Sequence, residues 1–228
     1  MELQPIAHIH TEFGEKFGIP RQAGLVAQTE GTVVFTPAYR DEAALRGLEQ
    51  FSHIWLLWEF SRSVRERWSP TVRPPRLGGN ARLGVFATRS PFRPNPIGLS
   101  CVRLKGLQKT QDRGTVLLVG GADLLDGTPI YDIKPYLPYA DCVPEAVGGF
   151  AMERPAPLLQ VTLPDRLPPE WSNKQREALL AVLAQDPRPR YQDDPARVYG
   201  MRFCGCDVRF SVAGDRLTVS EILPVNEP

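Results

Sequence analysis

The sequence predicts a mainly β protein with some α: a β-rich unit over residues 1–145, closed or nearly closed into a barrel, then a small α+β unit over 146–228. Three observations carry this. The first 145 residues hold several short apolar or alternating runs bounded by Gly and Pro, with few helical stretches. The segment VPEAVGGFAMERP at 143–155 is a shift in composition of the kind that separates domains. Beyond it, one helix with a clear start and stop lies among strands.

In chain order, LQPIAHIHTEF reads as a strand with His8 and His10 on one face at a solvated edge, because side chains repeat every second residue. FGEKFGIPRQAGL (13–25) is a loop, with Gly14, Gly18, Gly24 and Pro20 breaking any regular element and Lys16, Arg21 and Gln22 available to a ligand. GTVVFTP is a strand, DEAALRGLEQF a short helix, and FSHIWLLWEF, apolar on both faces, a central strand covered on both sides. LGVFATR (83–89) is strand-like, GLSCVRLKGLQ alternates, and GTVLLVGG is a further strand. Asp126-Gly127 makes a turn. After it, Asp132, Lys134 and Tyr136 fall on one face of an extended run, where they suit acid/base work, a polar ligand or a plain surface ion pair. In the last unit APLLQVTL is a strand and residues 173–185 are a helix, with Ser172 and Gln175 as a capping box, Leu179, Val182 and Leu183 as its buried stripe and Pro187 as its stop. Two strands joined at VAGD complete it.

Composition narrows the classes. Hydrophobic residues at 42% and charged residues at 23% fit a globular fold and exclude a disordered chain. No apolar run, IWLLW included, is long enough to span a bilayer, and MELQPIAHIH lacks the features of a signal peptide, so the expected location is the cytoplasm. Cys101, Cys142, Cys204 and Cys206 fit free thiols in a reducing compartment. With His8, His10 and His53 as the only histidines and no second cysteine pair, no metal site is expected. Net charge is +1, yet no acid lies between Glu66 and Asp112, a span holding nine Lys and Arg residues. A concentrated basic field in a near-neutral protein suggests an anionic partner, nucleic acid first, unless those charges pair with acids elsewhere.

The segment at 73–98, RPPRLGGNARLGVFATRSPFRPNPIG, concentrates the candidate chemistry. Pro91, Pro94 and Pro96 exclude helix and central strand, which leaves a stiff loop presenting Arg89, Arg93 and Asn95. Such a loop loses little entropy on binding. AQDPRPRYQ (184–192) repeats the combination of Pro, Arg and an aromatic ring and suits RNA backbone and base stacking. No Gly-x-Gly occurs, so the dinucleotide fingerprint of doubly wound sheets is absent.

The segments PRQAGL, FSHIWLLW, RPPRLGGNARLGVFATRSPFRPNPIG, DGTPIYDIKPYLPYAD and AQDPRPRY, in this order, resemble the TrmO (TsaA-like) family of tRNA methyltransferases. AHIHTEF departs from that family's first strand, which ends in Ser-Pro. The resemblance implies a single-sheeted β-barrel that binds S-adenosylmethionine and acts as a homodimer. Its substrate would be tRNA, methylated on N6 of the threonylcarbamoyl-modified adenosine at position 37, beside the anticodon. Positions matching the family's cofactor site are Ala23, Gly24, Leu25, Ser61, Arg62, Arg89, Leu99, Asp123, Leu124, Leu125 and Asp126. Arg93, Asn95, Lys134, Tyr136 and Arg190 are the candidates for substrate RNA, and Asp126 and Asp132 for a proton acceptor. The competing classes are a non-catalytic tRNA-binding module and a small-molecule methyltransferase.

Overall fold

The computed structural model describes residues 2–64, 67–74, 77, 81–151, 158–189, 192 and 194–225. The first unit contains β1 (Ala7–Thr11), β2 (Glu30–Phe35), β3 (His53–Glu59), β4 (Thr71–Val72), β5 (Leu83–Gly84), β6 (Ile97–Thr110), β7 (Gly114–Gly120) and β8 (Thr128–Pro135), then the short helix α1 (Pro138–Asp141). The second contains β9 (Gln160–Thr162), α2 (Asn173–Ala184), β10 (Tyr199–Phe203), β11 (Cys206–Ala213) and β12 (Arg216–Pro224).

Six strands close into one sheet in the order β1-β2-β7-β6-β3-β8. All their pairings are antiparallel. Alternation in the sequence supplies the interior: Ala7, Ile9, Val33, Phe35, Ile54, Leu56, Val102, Leu104, Leu117, Val119 and Ile130 point inward and form one buried cluster. A barrel this narrow is filled by its own side chains, so a ligand must bind at a mouth. β8 closes the sheet by pairing with β1 at Ala7↔Ile130 and with β3 at Leu57↔Asp132. A bulge opposite Leu57 and Trp58 leaves Tyr131 as the extra residue.

Four expectations need correction. β1 is paired on both sides, so His8 and His10 lie on the barrel's outer face and not at an edge. DEAALRGLEQF forms two 3-10 turns, Glu42–Leu45 and Leu48–Gln50, broken where Gly47 takes φ 88°. LGVFATR is strand only at Leu83–Gly84 and then a 3-10 turn, Val85–Ala87. The outer face of β3 is half-covered: Trp55 and Leu57 are intermediate in burial while Ile54, Leu56 and Trp58 are buried.

In the second unit, Ser172 and Gln175 cap α2 reciprocally, and Ala178, Leu179, Val182 and Leu183 are buried against a four-stranded sheet in the order β10-β11-β12-β9. β10 escapes the sequence reading. Cys204 (φ 47°) and Gly205 (φ 71°) form the two-residue turn that joins it to β11, which accounts for the Cys-x-Cys spacing.

The two cores meet through the 13–26 loop. Phe13 and Val26 belong to the second core, and Phe17 stacks on Tyr199 and Phe210. Gly18, at φ 90°, lies where any Cβ would meet Met201 at 2.5 Å. At this junction Glu12 accepts the Glu30 amide N–H through both carboxylate oxygens, at 3.2 and 3.3 Å. Burial pushes Glu12 up to about 6 from the usual 4.5. The folded state therefore holds this proton more tightly than the unfolded chain, and the stability linked to it is present below pH 4.5 and lost as pH rises through about 6. Measured by urea denaturation, the stability difference between wild type and Glu12→Gln should change by up to about 2 kcal/mol across that window. A constant difference would contradict the burial of a titrating Glu12.

Candidate active site

A cavity of about 480 Å³ opens at one mouth of the barrel, within the range of small-molecule sites. It is assembled from the end of β3 and the turn after it (Trp58–Ser63), the start of β6 (Ile97–Leu99), the 16–22 loop, the 88–93 loop and the 123–128 turn. These segments are far apart in sequence and adjacent because closure of the sheet brings those strand ends to one mouth.

The floor is a buried relay. Gly98 lacks a side chain where the Trp58 ring crosses it; a Cβ there would lie 2.3 Å from the indole. The ring so placed donates its Nε1–H to Ser100 Oγ at 2.9 Å, and Ser100 donates to Asp123 Oδ1 at 2.6 Å. Burial raises the Asp123 carboxyl above its ordinary value, opposed by bonds from Ser100 and from the backbone of Asp123 and Ala23, and by the charge of Arg89. The turn that carries Asp123 is braced by Gly24 N–H donating to Gly121 O at 2.9 Å. A Cβ on Gly121 would meet Gly24 Cα at 3.2 Å, and both residues have φ near +75°, so glycine is required at this close approach.

The rim is cationic. Lys16, Arg21, Arg62, Arg89 and Arg93 line it, against Glu59 and Asp123. Lys16 Nζ donates to Arg62 O and to Ser63 Oγ, Arg89 donates to Gln22 Oε1, and Arg93 donates to the carbonyls of Thr88 (3.0 Å) and Ser90 (3.3 Å). Arg93 thus holds its own loop in shape. Arg21 donates to the carbonyls of Asp186 and Arg188, tying this wall to the second unit. Glu59 accepts from the Tyr131 hydroxyl at 2.7 Å, a bond that pushes the phenol up to about 12 and keeps it protonated.

Of the residues matched to a cofactor site, Ser61, Arg62, Arg89, Leu99, Asp123 and Leu125 line the cavity. Ala23 and Gly24 brace the 121–123 turn, Leu25 is part-exposed beside them, and Leu124 is in the barrel core. Of the RNA candidates only Arg93 lines it; Asn95 is exposed on the loop, and Arg190 lies outside the described residues. Asp132 and Lys134 pair at 2.8 Å on the outer barrel face, and Tyr136 lies against His53 and Trp55 there. Asp126 does not line the cavity: it is exposed in the turn between the lining residues Leu125 and Thr128, accepting the Thr11 amide at 3.0 Å and paired with His10 Nδ1 at 3.2 Å. Trp58, Glu59, Ser100 and Tyr131 were missed; for Ser100 the inward register of β6 is a usable signal.

An all-antiparallel single-sheet barrel with a charged, cofactor-sized cavity at its mouth defines a class of binding fold distinct from the doubly wound sheet. The family profiles for the tRNA-methyltransferase O N-terminal domain and the TrmO C-terminal domain match residues 8–142 and 158–225. The chain belongs to the TrmO family. It is 41% identical to a tRNA (adenine(37)-N6)-methyltransferase of Escherichia coli K12 over 231 residues, covering 98% of each. A relative of the same name from Eikenella corrodens is 47% identical over 180 residues, covering 77% of this chain and 98% of that one. A crystal structure of TrmO from Pseudomonas aeruginosa superposes with a TM-score of 0.77 at 38% identity, covering 99% of this chain and 97% of the other.

Gly98→Ala should destabilise the protein by about 1–3 kcal/mol, because the indole must move and leave its bond to Ser100. An unchanged urea midpoint would show that the ring does not lie over Gly98.

Proposed function

We propose that this protein transfers a methyl group from S-adenosylmethionine to N6 of the threonylcarbamoyl-modified adenosine at position 37 of tRNA. The observation that carries the reading is the cavity at the barrel mouth, cationic at its rim with the half-buried carboxylate of Asp123 on its floor, in a chain of this family. Two relatives at 41% and 47% identity bear the name tRNA (adenine(37)-N6)-methyltransferase. A Pseudomonas aeruginosa relative, 44% identical over 91% of this chain, is named as an S-adenosylmethionine-dependent methyltransferase.

The residues present fit that cofactor. Arg62 and Arg89 suit its carboxylate, Asp123 its ammonium or ribose hydroxyls, and Ile97, Leu99 and Phe60 offer apolar surface to its base. Bound there, S-adenosylmethionine supplies a methyl group on an electrophilic sulfonium. The sulfonium is positive until the methyl leaves, so a cation beside sulfur would repel the bound cofactor, and the rim position of the arginines avoids that cost. In-line displacement is accelerated chiefly by alignment, which a rigid mouth held by Pro91, Arg93 and the Trp58 relay provides. Arg93 is proposed to meet the carboxylate of the threonylcarbamoyl group.

The proton leaving N6 requires an acceptor within hydrogen-bond reach. Asp126, exposed in the turn whose Leu125 and Thr128 line the cavity, is the first candidate. Asp132 is held by Lys134 on the outer face. Tyr139 and Val143, apolar and exposed just beyond β8, support a homodimer with Lys134 and Tyr136 meeting RNA at the seam. Among the described residues no helix is long and apolar enough to cross a membrane, and all four cysteines are free, as suits the cytoplasm.

Incubation with isotopically labelled S-adenosylmethionine and total tRNA from cells lacking this gene, followed by nucleoside mass spectrometry, should place label on the threonylcarbamoyl adenosine. No label, with precursor present and protein folded, would favour a binding module. In single-turnover assays Asp126→Asn should slow transfer by about 10²-fold and Asp132→Asn by less; full rates in both variants would remove a carboxylate acceptor.

A further inference from the structure

Two large aromatic side chains stand in water beside the cavity. Trp68 is 51% exposed and Phe86 74%, and their ring centroids lie 6.3 Å apart at 31°. The small β4–β5 hairpin brings them together: Thr71 pairs with Gly84, and Val85 N–H donates to Pro70 O at 2.9 Å. Thr88 donates to Val85 O through its amide (3.1 Å) and its hydroxyl (2.8 Å). Thr88 and Arg89 line the cavity, so Phe86 stands within about 11 Å of the wall along the chain. That is near enough for a nucleotide neighbouring one that enters the cavity.

The charges around these rings match RNA. Arg67, Arg73 and Arg82 are exposed and form no ion pair among the described residues. Lys105 and Lys109, from the same acid-free span, are instead taken by Glu30 and Glu42. Flat π faces accept any base, and guanidiniums accept phosphate, which is the composition of a single-strand platform. A second copy of the chain fits less well, since a twofold contact would set this basic patch against itself.

We propose that Trp68 and Phe86 form a stacking platform for unpaired nucleotides flanking the target adenosine, with Arg67, Arg73 and Arg82 taking adjacent phosphates. The proposal rests on the methyltransferase reading above and extends its RNA surface beyond the cavity.

The test is fluorescence anisotropy with the full-length protein and an anticodon stem-loop RNA, over a series of salt concentrations. Trp68→Ala and Phe86→Leu should each raise Kd by at least about fivefold with the salt slope unchanged. Phe86→Tyr, which keeps the π face, should bind like wild type. Arg73→Ala should instead reduce the slope. Thermal melts and S-adenosylmethionine titration establish that each variant is folded. Unshifted Kd in folded Trp68→Ala and Phe86→Leu would overturn the platform while wild-type methyl transfer left the parent reading standing. A change of oligomeric state in the RNA-free variants by sedimentation would assign the rings to a second copy. Wild type that neither binds nor methylates the stem-loop would overturn both readings.

Discussion

Everything at the barrel mouth depends on the pairing of β1 with β8. This ladder, in register at Ala7↔Ile130, His8↔Pro129 and Ile9↔Thr128, closes the sheet and draws the 123–128 turn beside the strand that starts the chain. Thr11 and Phe13 then hold that turn: the Thr11 hydroxyl donates to Leu124 O, and Asp126 N–H donates to Phe13 O. Closure removes sheet edges and leaves the mouths as the places where backbone ends and polar side chains can face a ligand.

The second unit supports the same mouth from behind. Its sheet carries the 13–26 loop on Phe203, Tyr199 and Phe210, and its 186–188 carbonyls receive Arg21. The adjacent residue Gln22 receives Arg89, whose charge acts on Asp123. Polar contacts at the junction, among them Lys174 to Glu30 and the Arg202 amide to Glu15, add orientation to the apolar contact. A packed surface and directed bonds together keep the cavity wall in one place.

The strands were legible because most alternate, and alternation states which face is buried. β2, β6 and α2 with its capping box follow directly from their residues. Closure was legible only as a class, since Ile9 and Thr128 meet across more than a hundred residues and register is a tertiary property. The stiff 88–96 loop announced itself by its prolines, but not that Arg93 would bond its own backbone. Asp132 and Lys134 share a face as their spacing requires; the register against Leu57 and Trp55, past the bulge at Tyr131, sets that face outward. The Trp58–Ser100–Asp123 relay joins three distant segments, and no local pattern encodes it.

The central claim is that the cofactor sits at the mouth of the single-sheet barrel. Ultraviolet crosslinking of radiolabelled S-adenosylmethionine to the full-length protein, with peptide mapping, tests it most directly. Label confined to peptides containing 16–25, 58–63, 88–99 and 121–128 is the expected result. Label concentrated between 161 and 180, where a second cavity lies beside α2, would contradict the account.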